Sequence, residues 1–415
     1  MQIDKRRLGV GRISLATRPS LRSLPASIWA LGFGSLFMDT SSELVHSLLP
    51  VFMATILGAS MITIGFIEGI AEATAAITKI FSGVLSDYLG KRKFLVVLGY
   101  GLSAFTKPVF PLATSISWVF GARFVDRVGK GIRGAPRDAL VADITPTELR
   151  GAAYGLRQSL DSVGAFVGPL VALVFMVWWV DDIKAALWVG VVPAFIAVAI
   201  LMLAVREPGL DSRQPKKSAP ITISDARRLE LSYWLIVLLG AVFTLARFSE
   251  AFLVLRAQNV GLQLGFVPVV LIVMNVVYAA AAYPAGVAAD RMRRWTLLLF
   301  GLAMLVLADL TLALAVTSWQ VITGAALWGL HMGLTQGLFS KLVADNAAAE
   351  LRGTAFGIFN LVSGVALLCA SVIAGSLWEL VGPSATFIAG AAFAAIAAIG
   401  IITYRERSQA ADCRG

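Results

Sequence analysis

Along this chain, apolar residues come in long blocks separated by short polar intervals. Twelve blocks reach the roughly 20 residues with which an α-helix crosses about 30 Å of hydrocarbon. They run over 27–50, 60–83, 94–115, 117–141, 152–177, 185–205, 231–256, 262–286, 295–316, 319–343, 354–378 and 383–404. Transmembrane strands would instead alternate apolar and polar residues over segments of about ten. These blocks are continuous and rich in Leu, Ala, Val and Ile, so the pattern predicts an all-α integral membrane protein with twelve transmembrane helices. The longest polar interval divides them six and six. The expected organisation is a basic tail at 1–24, a six-helix bundle at 25–205, a linker at 206–230, a second six-helix bundle at 231–405 and a tail at 406–415.

Composition supports this and removes alternatives. Hydrophobic residues make up 58% and charged residues 14%, against about 25% charged in soluble domains. So little polar surface excludes a disordered chain, a coiled coil, a secreted disulfide scaffold and an ordinary cytosolic enzyme. Cys369 lies in an apolar run and Cys413 in the polar tail, a poor placement for a bridge and no metal-type spacing. The net charge of +10 would suggest nucleic acid if it formed one patch, but the basic residues occupy alternate intervals. Lys5, Arg6, Arg7 and Arg12 precede the first block; Lys91, Arg92 and Lys93 follow the second; Lys216, Lys217, Arg227 and Arg228 follow the sixth; Arg291, Arg293 and Arg294 follow the eighth. The intervals 51–60, 257–262 and 316–320 have none. Cytoplasmic loops carry the Lys and Arg excess, so both termini are expected in the cytoplasm, and the charge reports topology, with no nucleic-acid partner. No cleavable apolar core precedes the first block, and residues 1–24 read as a retained tail. A multi-pass protein of a bacterial cytoplasmic (inner) membrane is expected.

The two halves repeat. The segment from Asp143 through Glu148, Leu149, Arg150 and Gly151 to Gly155 recurs from Asp345 through Glu350, Leu351, Arg352 and Gly353 to Gly357. Gly83 and Asp87 before a basic cluster recur as Gly286 and Asp290 before a second one. Six helices per repeat preserve orientation, so the pseudo-twofold axis runs along the membrane normal.

Gly83, Asp87, Gly90, Lys91, Arg92 and Lys93 resemble the signature loop Gly-x-Leu-x-Asp-x-x-Gly-Arg/Lys-x-Lys of the major facilitator superfamily. Physically, Gly83 lets another helix approach, Asp87 can cap or pair across the half-to-half interface, Gly90 permits a tight turn, and the cations anchor at headgroups. The resemblance implies that this loop latches the cytoplasmic side in the outward-open state, with Asp290 in a weaker second copy that has Arg293 in place of the turn glycine. Arg127, with Gly131 four residues on, resembles the family's Arg-x-x-Gln-Gly-x-Gly-Ala-Ala element, although Lys130 and Arg133 replace two of its residues; the family associates that arginine with proton coupling. Gly164, Gly168 and Pro169 resemble the Gly-x-x-x-Gly-Pro element of proton-coupled antiporters of drugs and solutes, with Ala172 and Leu173 in place of its last glycines. That likeness implies export; a plain packing seam, with small residues at i and i+4 allowing close approach, is the other reading.

Ionisable residues inside the blocks are costly and must pair or line water. Local pairs are available at helical spacing: Arg157 with Asp161, Asp126 with Arg123 or Lys130, and Arg247 with Glu250. The remainder is lopsided. Asp39, Glu43 and His46 share a face of the first helix and Glu68 and Glu72 a face of the second, while Arg127, Lys130, Arg133 and Arg137 form a basic stripe on the fourth. One reading pairs acids with stripe and holds the first bundle together. The other makes one carboxylate a proton carrier, Asp39 first and Glu72 second, since a carboxylate desolvated in a cavity holds its proton more tightly. The family resemblance implies that helices one, four, seven and ten line a central cavity, which makes Asp39, Glu43, His46, Arg127, Arg247, Glu250, His331 and Gln336 cavity candidates. Glu43 and His46 lie one turn apart, and with Asp39 they offer donors for a divalent metal such as Mn or Zn.

No Walker-type loop, Gly-x-Ser-x-Gly or zinc-protease helix occurs, so neither an enzyme nor a cofactor is expected and transport must draw on an ion gradient. The leading expectation is proton-coupled export of a small polar or charged solute by a monomer in the bilayer, with Na⁺ left open as coupling ion. The alternatives are a divalent metal exporter using Asp39, Glu43 and His46, uptake of an organic anion or metal–ligand complex, and a sensor or scaffold that kept the fold.

Overall fold

The structure, a computed structural model, describes residues 23–178, 182–207, 228–292, 294–335, 338–348 and 351–412. Among these the helices form twelve runs and the fold is all-α. They are α1 (Ala26–Val51), α2 (Met61–Leu89), α3 (Arg92–Thr106), α4 (Ile116–Ile144), α5 (Arg150–Trp178), α6 (Ile183–Val189 continued by Val191–Ala204), α7 (Leu231–Leu245 and Ala251–Asn259), α8 (Val269–Arg291), α9 (Arg294–Ala313), α10 (Ser318–Thr335 and Leu338–Asp345), α11 (Arg352–Leu380) and α12 (Pro383–Asp412). Local chemistry sets several ends. Ser60 caps α2 by accepting from the Thr63 amide at 3.2 Å, which satisfies an otherwise orphaned donor. Gly90 ends the same helix with φ 64°, a left-handed conformation that costs glycine little. The turn expected there is present.

Eight of these helices are long and apolar enough to cross a membrane: α2, α3, α5, α6, α8, α9, α11 and α12. The other four are α1, α4, α7 and α10. Two of them carry many polar groups and two are interrupted, so each makes a poor partner for lipid. The eight apolar helices shield them, and their outward side chains, such as Phe105 at 71% and Leu203 at 85% exposed, form the surface that a bilayer covers.

Packing repeats between the halves. In the first, α1 packs on α5 and α6, α4 on α2 and α3, and α3 on α6. In the second, α7 packs on α11 and α12, α10 on α8 and α9, and α9 on α12. The halves meet where α2 packs on α11 and α5 on α8, the exchange that a twofold axis demands. The seam is tight at the end without basic loops. There the Met61 amide donates to Glu379 Oε2 at 2.7 Å, and Gly65 and Gly375 admit backbone of the opposite half where a Cβ would collide. Toward the basic end, Gly151 and Gly155 on α5, Gly286 on α8 and Gly353 on α11 face open space. A cavity between the halves therefore opens at the end that carries the basic loops.

Candidate functional site

The cavity, about 600 Å³, lies between the bundles. The first bundle supplies charge: Asp39 and Glu43 from α1, Glu72 and Lys79 from α2, Lys130, Arg133 and Arg137 from α4, and Asp161 from α5. The second supplies neutral polar groups, Thr244, Asn275, Tyr278, Asn360 and Ser363. At its closed end a continuation of about 320 Å³ is lined by Glu43, His46, Glu72, Arg127, Lys130, Arg247 and Glu250.

The acids divide into committed and uncommitted groups. Glu68 is fully buried, and its Oε2 accepts from Arg123 Nη2 at 2.6 Å. Glu72 Oε1 pairs with Arg127 Nη2 at 2.9 Å. Of the basic stripe on α4, Arg127 pairs with Glu72, whereas Glu68 is held by Arg123, outside the stripe. Asp161 pairs with Arg157, one helical turn away as its spacing predicts, and lies 3.7 Å from Arg137. Asp39 and Glu43, in contrast, have no ion pair or hydrogen bond from their side chains among the described residues, and neither do Lys79 and Lys130.

Two expected local pairs do not form. Asp126 turns from its own helix to Lys107, whose Nζ donates to its Oδ1 at 3.0 Å and to Ser42 Oγ at 3.1 Å. Lys107 closes α3 at the same depth and is 1% exposed, so each ion neutralises the other away from water. Sequence spacing along one helix could not reveal it. Arg247 and Glu250 do not pair because α7 stops at Leu245 and resumes at Ala251, which removes the i, i+3 geometry. The Arg247 guanidinium lies 5.7 Å from the Phe243 ring centroid, and Glu250 Oε2 lies 4.0 Å from His46 Nε2.

His46, offered by its spacing as a metal ligand, is engaged by an arginine. Its Nδ1 accepts from Arg123 Nη2 at 3.0 Å, leaving the ring proton on Nε2 toward Glu250. Among the described residues no three His, Cys, Asp or Glu side chains converge to hold a metal ion, so Asp39, Glu43 and His46 are not gathered as a ligand set. His331 does not line the cavity. It is fully buried, with Nδ1 2.8 Å from the Gly301 carbonyl oxygen. Gln336 lies outside the described residues, as do the 1–22 portion of the basic tail and residues 208–227 of the linker.

The α5 element positions the uncommitted acids. A Cβ on Gly164 would lie 2.5 Å from the Leu36 carbonyl oxygen and 3.0 Å from Asp39 Cβ. One on Gly168 would lie 2.5 Å from the Thr40 carbonyl oxygen and 3.0 Å from Glu43 Cβ. The two glycines bring α5 against α1 behind Asp39 and Glu43, and Pro169 follows within the same helix.

At the basic end, Gly83 abuts Ala135 of its own bundle. Arg92 bridges Asp87 at 3.4 Å and Asp143 at 2.9 Å. The Arg92 amide donates to Glu207 Oε1 at 2.7 Å, and Lys93 Nζ donates to the Val205 carbonyl oxygen at 2.6 Å, closing the end of α6. Lys91 stands between the Gly90 turn and α3. Asp290 lies on α8, with its side chain outside the described set. These signature-loop contacts lie within the first bundle and, at Glu207, the start of the linker.

Sequence reasoning missed a third chamber. About 340 Å³ between α7, α8, α10 and α11 is lined by Phe243, Phe339, Phe359, Met332, Tyr278 and Arg247. Aromatic residues in an apolar block read as core or lipid-facing, and no local signal separates those from residues that line a chamber.

A family model described as the Major Facilitator Superfamily matches residues 31–275 and 237–412. An uncharacterized MFS-type transporter of Methanocaldococcus jannaschii is 31% identical over 386 residues, 91% of this chain and 94% of its own length. The inner membrane transport protein YajR of Escherichia coli is 24% identical over 386 residues, 89% of this chain and 81% of its own. Among solved structures, a mutant of the nucleoside transporter NupG superposes with a TM-score of 0.75 at 11% identity, covering 91% of this chain and 99% of its own. A bacterial homolog of the human lysosomal transporter Spinster, inward-facing and occupied, gives 0.69 at 16% identity, covering 91% and 96%.

Proposed function

This chain belongs to the major facilitator superfamily, and we propose that it exports a small polar or charged solute across the cytoplasmic membrane in exchange for protons. As a multi-pass membrane transporter it binds a small-molecule substrate; coupling ion, direction and orientation are the proposal. Both termini lie in the cytoplasm, so the cavity faces the cytoplasm in this state. The observation that carries the reading is the split among the acids. Glu72 and Asp161 line the central cavity and, like the fully buried Glu68, are held by arginines, while Asp39 and Glu43 line the same cavity with no partner among the described residues. A carboxylate so placed trades its proton with whichever side the cavity faces, and its charge then decides whether a solute is held or released. Asp39, midway along α1, carries the proton, and the Glu72–Arg127 pair, which lines the continuation with Glu43, keeps the field of the site fixed. Export rests on the Gly164–Pro169 element, which sits behind the two free acids. Rocking of the bundles about the α2–α11 and α5–α8 seams alternates access.

The test is flux in proteoliposomes with a proton gradient as the sole driving force. With Asp39→Asn, solute exchange down its own gradient should persist while proton-driven accumulation is lost. Proton-driven accumulation by that variant at the wild-type rate would remove Asp39 from the role. Glu72→Gln, tested in parallel, would then identify the second candidate.

A further inference from the structure

The chambers differ in chemistry in a way that proton coupling does not require. The first bundle presents charge, whereas the second presents an aromatic chamber with one cation at its mouth. Phe243 and Phe339 have centroids 4.8 Å apart, and Phe339 stacks on Phe359 at 6.2 Å with 18° between planes. Met332 lies with them. An apolar cavity of about 150 Å³ accepts benzene, so about 340 Å³ holds a substituted ring. Thr244 lines this chamber, the central cavity and its closed-end continuation, so the three adjoin at that residue. Arg247 lines both the aromatic chamber and the continuation. Its Nε is buried without a hydrogen-bond partner, and its guanidinium makes no ion pair among the described residues. Lys130 faces it across the continuation from the other bundle, equally uncommitted. The acids there are Glu72, paired with Arg127, Glu250, beside His46, and Glu43. Among the described residues Arg247 and Lys130 thus have no ion pair, and of the acids Glu43 and Glu250 have no cationic partner.

We propose that the transported solute is an aryl carboxylate, its ring in the aromatic chamber of the second bundle and its carboxylate between Arg247 and Lys130. This rests on the reading of the central cavity as the transport site and names the substrate class for it. Each bundle then holds one end of the solute, so a molecule with both a ring and an anion binds to the two halves together. A solute with only one of these features engages half of the site.

The test uses the purified full-length protein in detergent and 3-phenylpropionate as probe, against 3-phenylpropanol (ring without charge), butyrate (charge without ring) and 2-phenylethylamine (ring with the opposite charge). Calorimetric Kd values should favour 3-phenylpropionate over each of the others by about 10- to 50-fold, the range set by burying one ring or pairing one charge. Arg247→Gln should erase the preference over 3-phenylpropanol, and Phe359→Ala the preference over butyrate. Lys130→Gln, at an exposed position, should weaken 3-phenylpropionate several-fold and serves if Arg247→Gln fails to fold. Equal binding of all four probes, tighter binding of the amine, or an unchanged preference for the anion in both cation variants would overturn the proposal. Parallel flux assays separate it from the transport reading. Binding of 3-phenylpropionate without proton-linked flux supports the substrate class and counts against coupling. Proton-linked flux of another solute, with no binding of 3-phenylpropionate, overturns the substrate class alone.

Discussion

Replacing Gly168 with alanine tests whether α5 sets the position of the carboxylates on α1. The added Cβ would lie 2.5 Å from the Thr40 carbonyl oxygen, 2.8 Å from the Leu44 amide nitrogen and 3.0 Å from Glu43 Cβ. Two of these atoms are backbone, so no side chain can rotate away and relieve the whole overlap. Restoring ordinary van der Waals contact requires α1 and α5 to part locally by about 1 Å, and overpacking of this kind costs about 1–3 kcal/mol. A shift of about 1 Å in a positioned group can lower a rate about 100-fold. Gly155 on the same helix is the control, because nothing lies within 4 Å of a Cβ there and alanine is the better helix former by up to about 1 kcal/mol. Thermal unfolding in detergent and proton-driven flux in proteoliposomes are measured for both variants. Gly168→Ala should lose stability and most of its coupled flux, while Gly155→Ala keeps both. Equal behaviour of the two variants would refute the idea that the α1–α5 contact positions Glu43.

Three further outcomes follow from buried polar groups. Glu68→Met strands the 2%-exposed Arg123 guanidinium and should destabilise by about 3–5 kcal/mol, while Glu68→Met with Arg123→Met recovers most of the loss; chemical unfolding of the single and double variants checks this. Asp309 on α9 is fully buried, with both carboxylate oxygens lacking a hydrogen-bond partner among the described residues, so Asp309→Leu should hold or raise the unfolding temperature. His331→Phe removes the bond to the Gly301 carbonyl oxygen and should cost about 0.5–1.5 kcal/mol, read by thermal unfolding in detergent.

Membrane helices advertise themselves, and all twelve blocks found in the sequence are helical runs in the structure. Hydropathy carries that information because lipid tests each helix along its whole length. The polar residues interrupting α1 and α4 were equally legible as costly. What could not be read was their partners. Pairing rules at i+3 and i+4 work along one helix, so Arg157 and Asp161 were found. Glu68 with Arg123, Glu72 with Arg127 and Asp126 with Lys107 join different helices and depend on relative depth and rotation, which sequence spacing does not encode. The metal set failed for a related reason. Glu43 and His46 are neighbours in sequence, but among the described residues they do not converge with a third ligand, and Arg123 from α4 engages one histidine nitrogen.

The repeat makes the remaining difference between the halves informative. Both bundles use the same helix pairings, so the backbone alone gives no reason for their cavity faces to differ. Yet the first carries interhelical ion pairs through α2 and α4, and among the described residues the cavity face of the second carries aromatic rings and an arginine without an ion pair, Arg247. Ion pairs across helices fix rotation and depth, because misaligning them leaves a charge unpaired in a poorly solvated interior. Aromatic packing is less directional and tolerates rearrangement, and α7, the helix bearing Arg247, is broken at the cavity. The first bundle is thus suited to hold the proton-exchanging acids in a constant geometry, and the second to adapt to what is bound. Substitutions in the first should therefore act mainly on coupling, and those around Phe243, Phe339 and Phe359 mainly on which solute is accepted.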